Sequence, residues 1–343
     1  MKIMFNFKKT IAMAAAAVLA MGAFTGCIQN TNPAVRVNDT DMSADEFGYY
    51  VYISQSQVLQ EAGVSTSDAD AIQQYWEGET DGKKNIDIAC DKAIDDAANL
   101  LVRYNKAVEL GIEFTAEDEA ELEAQIASMK EQTGGEVGYK NQLAMLGTTA
   151  EAFESLYKKN MMVSKLVEKL EEDGTLVVDD AAIKDYITNN YVKAQHILFL
   201  TQDQTTGESF DAATLDEKKA KAEATLEKIN AGEDFVALMN ELSEDTGLAT
   251  YPDGYEFTKG EMVPQFEEAA FGLEVNAVSG IVETSYGYHI IKRLPFEVTE
   301  EKIAQYSENA KSAAQNEKLD ALTEEWKAAS EVKSFNSVIR KFK

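Results

Sequence analysis

The chain has 343 residues and a formal net charge of −28 at pH 7, with 60 acidic against 32 basic side chains. Phosphate backbones repel such a chain, which argues against nucleic acid as a partner. The length gives room for two domains, each with its own apolar core. Only two cysteines occur, so packing rather than a disulfide framework is expected to stabilise the fold.

The N-terminal residues 1–26 are predicted to be an export signal and not part of the fold. Lys8 and Lys9 form a positively charged start. The apolar run over 11–24 is shorter than the roughly 18–20 residues that a spanning helix needs. Small residues precede Cys27, as in a bacterial lipobox whose cysteine receives a diacylglycerol. The alternative is an ordinary secretory signal followed by a coincidental cysteine.

Residues 27–34 are predicted to form a polar tether without periodicity. Acylation of Cys27 would hold the protein at the membrane and would rule out an intramolecular disulfide with the second cysteine, Cys90. Cys90 lies within a helical pattern, where its expected role is that of a small core hydrophobe.

The chain from 35 to 191 is predicted to be mainly helical. A short strand and turn over 35–43 leads to Ser43, which is expected to cap the first helix. Apolar residues then recur at three- and four-residue steps. The predicted helices cover 44–61, 86–110, 115 to the Gly134-Gly135 break, 149–172 and 178–190, and another follows over 299–329.

Two histidines occur in the chain, His196 and His289, and each lies in a short apolar string predicted to be a strand. The string QHIL at 195–198 contains the first and SYGYHIIKR at 285–293 contains the second. Between them come SEDT at 243–246 and FTKGEMVPQFEEAAF at 257–271.

In this order and spacing, the four strings resemble the parvulin family of peptidyl-prolyl cis/trans isomerases over about residues 192–296. The resemblance implies a small antiparallel sheet with surrounding helices and a reaction that needs no cofactor. Rotation about a peptide bond costs about 18–20 kcal/mol, and Xaa-Pro bonds exchange over roughly tens to hundreds of seconds. This exchange is slow enough to limit folding, and a catalyst accelerates it.

The flanking helices resemble those of the extracytoplasmic parvulin chaperones, the PrsA and SurA families. The similar strings are the Val-Asn-Asp turn at 37–39, the helix end LVRYNKAVELGI at 101–112 and the lead-in VVDDAAIKDY at 177–186. The resemblance implies an α+β architecture in which the isomerase domain, 192–296, is inserted into an all-helical chaperone domain. That chaperone domain would consist of residues 35–191 and the C-terminal helical segment 297–343.

The same resemblance implies an active site with a polar side and an apolar side. The family's polar residues correspond to His196, Asp245, His289 and Thr284, and its substrate-binding residues to Met262, Phe266, Phe257 and Tyr286. A carboxylate is a poor nucleophile toward an amide, so the aspartate favours noncovalent catalysis. Two alternatives stay open: the histidines tie two strands together without direct catalysis, and the apolar residues are plain core.

The chain departs from the family pattern at two positions. Gly254 stands where a leucine is common, so that the pocket wall is thinner or is supplied by Tyr255, and Tyr286 replaces a small residue. Residues 201–208 lack the basic cluster of phosphate-directed members. Neither histidine belongs to a short ligand-spaced motif, so no metal is expected.

The predicted function is that of a foldase outside the cytoplasm, anchored to the bacterial cell membrane through a lipid on Cys27. It would isomerise Xaa-Pro bonds in unfolded or partly folded secreted proteins and would also act as a chaperone. The alternatives are a binding-only chaperone with a vestigial isomerase domain and an envelope scaffold. The oligomeric state is left open, with a homodimer among the options.

Overall fold

The computed structural model describes residues 31–64 and 68–343. The predicted export signal, Cys27 and the first residues of the tether lie outside the described residues. The chain forms two compact units. The first consists of the described residues up to Val177 together with Gln315–Lys343, and the second is Val178–Ala314. In the described part of the chain, no helix has the length and apolar character required to cross a membrane.

The first unit is built mainly from helices. Its N-terminal elements are β1 (Pro33–Val37), β2 (Thr40–Ser43), α1 (Ala44–Glu61), α2 (Ala69–Glu77), β3 (Glu79–Thr80), β4 (Lys83–Lys84), α3 (Asn85–Glu109), α4 (Ala116–Gln132), α5 (Glu136–Met145) and α6 (Ala150–Glu172).

The second unit surrounds a sheet with helices. Its elements are α7 (Asp180–Asn190), β5 (Tyr191–Leu200), α8 (Ala212–Asn230), α9 (Phe235–Leu242), β6 (Tyr255–Thr258), α10 (Pro264–Gly272), β7 (Val278–Glu283) and β8 (Gly287–Leu294). The chain continues through α11 (Glu300–Ala328), β9 (Val332–Ser334) and α12 (Asn336–Ile339). The division between the units falls within α11.

Local capping chemistry sets the starts of two helices, and the cap predicted at Ser43 forms. The Ser43 hydroxyl accepts a hydrogen bond from the Glu46 backbone while the Glu46 carboxylate accepts one from Ser43, which closes a capping box at the start of α1. Thr115 and Asp118 do the same at the start of α4. Between α4 and α5, Gly134 and its neighbour have positive φ angles that glycine adopts without strain.

The core of the first unit lies where α1, α3 and α6 meet β1. Phe47, Leu101 and Phe153 are fully buried there. Cys90 is also fully buried, as its helical pattern predicted. The unit also holds an antiparallel sheet in the order β2-β1-β9, in which residues 332–334 pair with residues 35–37.

The sheet of the second unit is antiparallel, in the order β6-β5-β8-β7, and its middle strands are covered on both faces. Ile197 and Phe199 face one apolar cluster, which includes residues of α8 and α9. Val192 and Ala194 face another, which includes Phe266 of α10. This alternation follows from the two-residue period of a strand.

A third apolar cluster extends the second unit beyond the predicted segment 192–296. The Tyr191 ring stacks on Phe296 and lies 4.5 Å from that of Tyr306, centroid to centroid. Ile183 and Ile187 of α7 and Ala310 of α11 are buried in the same cluster. The helices on either side of that segment therefore contribute to the core of the second unit.

Candidate active site

The two imidazoles meet because of the register between β5 and β8. Leu198 lies opposite His289, and His196 lies opposite Ile291. Side chains alternate between the faces of a strand, so His196 and His289 are diagonal neighbours on one face. Their Nδ1 atoms are 3.0 Å apart, and the rings lie 19° from parallel. Both side chains are buried.

Hydrogen bonds extend from both ends of this pair. Nε2 of His196 lies 3.1 Å from Oδ2 of Asp245, and Nε2 of His289 lies 2.9 Å from Oγ1 of Thr284. The structure therefore joins the four predicted polar residues into one chain of hydrogen bonds, called the His–Asp network below.

The direction of these bonds follows from the partners. An ionised carboxylate only accepts, so His196 donates to Asp245 from Nε2. In the neutral network, Nδ1 of His196 then accepts from Nδ1–H of His289. Nε2 of His289 in turn accepts from the Thr284 hydroxyl. The two histidines thus hold opposite tautomers.

The backbone of β5 brings Asp245 to this place. β6 pairs only with residues 191–194 of β5. Farther along β5, two backbone N–H groups bond instead to side chains of the segment that follows α9. Ser243 Oγ accepts from the Leu198 backbone at 3.1 Å, and the Glu244 carboxylate accepts from the Leu200 backbone at 2.8 Å. The Ser-Glu-Asp string therefore runs beside β5. The hydrogen bonds of its serine and glutamate hold the aspartate next to the histidines.

The environment sets the protonation of two network members. Burial raises the pKa of the Asp245 carboxyl, but its hydrogen bonds outweigh burial and lower that pKa to about 2. The donors are His196, the Tyr255 hydroxyl and the Gly247 backbone. Burial first, and His196 second, lower the pKa of His289 to about 3. At neutral pH, Asp245 is therefore an anion and His289 is uncharged.

The predicted apolar residues lie directly beside the network. The Phe266 ring meets both imidazoles edge-on, with centroids 5.2 Å from His196 and 5.4 Å from His289. Phe257 lies 5.9 Å from Phe266, and Met262 packs in the same cluster while staying partly exposed. Met262, Phe266 and Phe257 are called the apolar shelf below.

The loop before α10 holds Met262 in place. Gly260 has a φ of +85°, a left-handed conformation that glycine adopts without strain. Its N–H donates to the Glu267 carboxylate at 2.6 Å, and Pro264 occupies the first turn of α10. The loop is therefore tied to the helix that carries Phe266.

The two departures from the family pattern have different surroundings. The Tyr286 backbone N–H donates to Thr284 Oγ1 at 3.1 Å, and the residue is about half exposed. Gly254 has a φ of +97°, and a Cβ there would lie 2.7 Å from the carbonyl oxygen of Ala194. No side chain fits at 254 without backbone movement, and Tyr255 packs against the apolar cluster beside it.

Tyr255 makes a polar contact that was not predicted from the sequence. Its hydroxyl donates to Oδ2 of Asp245 at 2.7 Å, and its ring centroid is 5.6 Å from that of His196. The sequence offers no signal for this contact, because a tyrosine after a turn glycine fits an apolar wall equally well. Among residues 31–64 and 68–343, no group of three His, Cys, Asp or Glu side chains is placed to hold a metal ion.

Comparison with known proteins identifies the family of the chain. The PPIC-type PPIASE domain family matches residues 181–295. The foldase protein PrsA of Caldanaerobacter subterraneus subsp. tengcongensis is 30% identical over 282 residues, which cover 77% of each chain. The chain belongs to the PrsA foldase family. It carries the PPIC-type peptidyl-prolyl isomerase domain of that family, as the four strings predicted.

Other PrsA proteins match over shorter segments. The foldase protein PrsA of Halalkalibacterium halodurans is 32% identical over 212 residues, and the match covers 58% of each chain. The chain thus spans under two thirds of the length of that curated relative. The crystal structure of the foldase protein PrsA from Streptococcus pneumoniae is 25% identical and covers 73% of this chain and 89% of its own, with a TM-score of 0.31.

Proposed function

We propose that the second unit catalyses cis/trans isomerisation of Xaa-Pro peptide bonds. The observation that carries the proposal is the position of Phe266, edge-on against both imidazoles. That contact joins a surface able to hold a proline ring to a set of directed hydrogen bonds. A pocket that isomerises proline needs both, because the ring must be held while the amide beside it twists.

In this proposal, the proline ring rests on the apolar shelf, where Met262 offers the partly exposed surface. The amide twists over the His–Asp network, in surroundings that exclude much of the water. A twisted amide loses its resonance, and an apolar environment disfavours the more polar planar form. Asp245 and the histidines contribute fixed dipoles and charge near the substrate carbonyl, which need no reorganisation during the reaction.

The bonding of Asp245 supports a noncovalent mechanism. Its Oδ1 accepts from the Gly247 backbone at 3.0 Å, and its Oδ2 accepts from both His196 and Tyr255. Both oxygens are engaged, and a carboxylate whose pKa lies near 2 is a weak nucleophile. The alternative of purely structural histidines predicts instead that replacing them alters stability and leaves turnover of the folded protein unchanged.

The wider proposal follows the sequence and the family. We propose that the protein works outside the cytoplasm, is anchored to the bacterial cell membrane through a lipid on Cys27, and acts on unfolded or partly folded secreted proteins that contain proline. The helices of the first unit would supply chaperone activity. A homodimer remains an option that sedimentation of the purified protein would decide.

A protease-free isomerisation assay on a panel of Xaa-Pro peptides tests the central proposal. The full chain should accelerate exchange, and Asp245→Ala should lower kcat/KM with less effect on peptide binding. Suppression of client aggregation without any isomerisation would favour the binding-only chaperone. If neither activity is found, the envelope scaffold becomes the better hypothesis.

Anchoring needs a separate experiment. The wild-type protein should fractionate with membranes, and Cys27→Ala should release it. The intact mass of the mature protein should include the lipid. An unmodified thiol at Cys27 would end the anchoring proposal and leave the isomerase proposal untouched.

A further inference from the structure

The Tyr255 hydroxyl reaches the His–Asp network at its carboxylate end. It donates to the same Asp245 oxygen, Oδ2, that accepts from His196. The Gly247 backbone N–H bonds to the other oxygen, Oδ1. The phenol and this N–H therefore hold the carboxylate from two sides. A carboxyl group otherwise rotates easily, because its terminal torsion has a broad energy profile.

The surrounding backbone leaves space for this phenol. A Cβ at Gly247 would lie 2.0 Å from the Tyr255 hydroxyl oxygen. Gly247 is not among the residues with positive φ, so its backbone conformation alone does not require glycine. The missing side chain makes room for the hydroxyl. On the other side, the left-handed turn at Gly254 directly precedes Tyr255.

We propose that Tyr255 is a positioning residue that orients Asp245 and, through it, fixes the tautomers of His196 and His289. The inference rests on the proposed isomerase function for its kinetic consequence only. With Oδ2 held toward His196, the proton stays on Nε2 of that ring. His196 Nδ1 must then accept, so the proton of His289 stays on Nδ1. The carboxylate sets the direction of the bonds in the His–Asp network, and the hydroxyl keeps that carboxylate in place.

The competing role for Tyr255 is packing alone. Its ring lies against the apolar cluster and 4.8 Å from the Tyr251 ring, centroid to centroid. Tyr255→Phe separates the two roles, because it keeps the ring and removes the hydroxyl. Tyr251→Phe is the matched control, since it removes the hydroxyl of the neighbouring tyrosine, whose side chain is largely exposed.

The experiment is imidazole ¹⁵N NMR of the full chain at neutral pH, combined with peptide isomerisation. The chain has two histidines, so the ring signals belong to His196 and His289 alone. In the wild type, His196 should be protonated on Nε2 and His289 on Nδ1. Tyr255→Phe should move both sets of shifts toward a mixture of tautomers and lower kcat roughly tenfold with little change in KM. Tyr251→Phe should change neither.

Gly247→Ala provides a second route to the same state. The added methyl should displace the phenol, so this variant should also mix the tautomers. In the Tyr255→Phe background, Gly247→Ala should add little, because the 2.0 Å contact with the hydroxyl oxygen is gone. The contacts that remain, with the ring at 3.2 Å and with Asp245 Oδ1 at 3.3 Å, need shifts of only a few tenths of an ångström. This pair of variants keeps the test decisive if either single variant folds poorly.

The outcomes separate this inference from the proposed function. Unchanged imidazole shifts in folded Tyr255→Phe would overturn the positioning role, whatever happens to the rate. Mixed tautomers in Tyr255→Phe, together with a wild type that isomerises no peptide, would support the positioning role and reject the isomerase proposal.

Discussion

Each unit buries a polar cluster, and the two clusters differ in what lies beside them. In the first unit, the Glu46 carboxylate is buried and accepts from Lys159 at 2.5 Å, Ser155 at 2.8 Å and the Ser43 backbone at 2.7 Å. These partners fix the start of α1 against α6. In the second unit, the His–Asp network leads to Tyr255, which adjoins an exposed tyrosine ring.

Burial of a polar group therefore does not identify a functional site by itself. The Glu46 cluster pairs a full negative charge with a full positive charge and ends in a helix cap, so its chemistry is satisfied internally. The His–Asp network joins a carboxylate to two imidazoles and a hydroxyl beside a partly exposed apolar shelf. The second arrangement can interact with a substrate, and the first can only hold the fold.

The largest expected effect concerns the boundaries of the second unit. A fragment of residues 192–296 lacks Tyr191, α7 and α11, and so loses most of the third apolar cluster. Full burial of one large apolar side chain contributes about 1.5–3 kcal/mol, so the loss should be several kcal/mol. Residues 178–314 should fold alone and keep the isomerase activity of the whole chain.

Chemical denaturation of both fragments, followed by circular dichroism, measures this difference. The longer fragment serves as the control for the shorter one. Equal stability of the two would mean that the third cluster contributes nothing to the second unit.

The second largest effect is expected from breaking the ion pair between Glu46 and Lys159 in the first unit. Lys159→Met should leave Glu46 as an uncompensated buried charge and lower the free energy of unfolding by about 3–5 kcal/mol. Glu46→Gln in the same background should recover much of the loss, because it removes that charge. Denaturation followed by tryptophan fluorescence is the measurement, since Trp76 and Trp326 both belong to the first unit. A loss of peptide isomerisation in the folded variant would contradict the contrast between the clusters.

The sequence predicted the parts of the fold that local chemistry determines. Ser43 caps a helix because its side chain reaches a backbone N–H group within the same turn. QHIL and SYGYHIIKR were predicted to be strands, and the resemblance to the parvulin family implied that both histidines lie in one active site. Their diagonal register places them on one face.

Contacts between residues that lie far apart in the chain could not be predicted from local sequence patterns. β9 is a short exposed Val-Lys-Ser segment without a period-two pattern, and it forms only because β1 offers an edge. The Tyr255 contact depends on a turn at Gly254 and on the absence of a side chain at Gly247. Neither condition can be recognised without the backbone path.

A smaller effect tests whether the apolar shelf serves catalysis alone. Met262→Ala should remove contact with the proline ring worth ~1–3 kcal/mol, or about tenfold to a hundredfold in kcat/KM if the contact forms mainly in the transition state. Met145→Ala is the matched control, because Met145 lies exposed on α5 of the first unit. Suppression of aggregation of a proline-free client should survive both changes.

Both activities should be measured on the same folded preparations. If Met262→Ala lowers isomerisation and aggregation suppression together, the client-holding surface includes the apolar shelf, and the division of labour between the units is wrong.

The smallest effect uses the fact that both histidines lie in the second unit. Burial lowers the pKa of His289 to about 3 in the folded protein, whereas an unfolded histidine titrates near 6.5. Below pH 6.5, the unfolded chain therefore takes up a proton that the folded chain refuses, and stability falls as the pH falls. Between pH 7 and 5.5, the loss should be about 1 kcal/mol.

Amide NMR during denaturation should detect this loss of stability in the second unit, while tryptophan fluorescence of the first unit stays unchanged. His289→Gln should flatten the dependence, because the titrating ring is gone. A pH dependence that survives this substitution would assign the effect to another group.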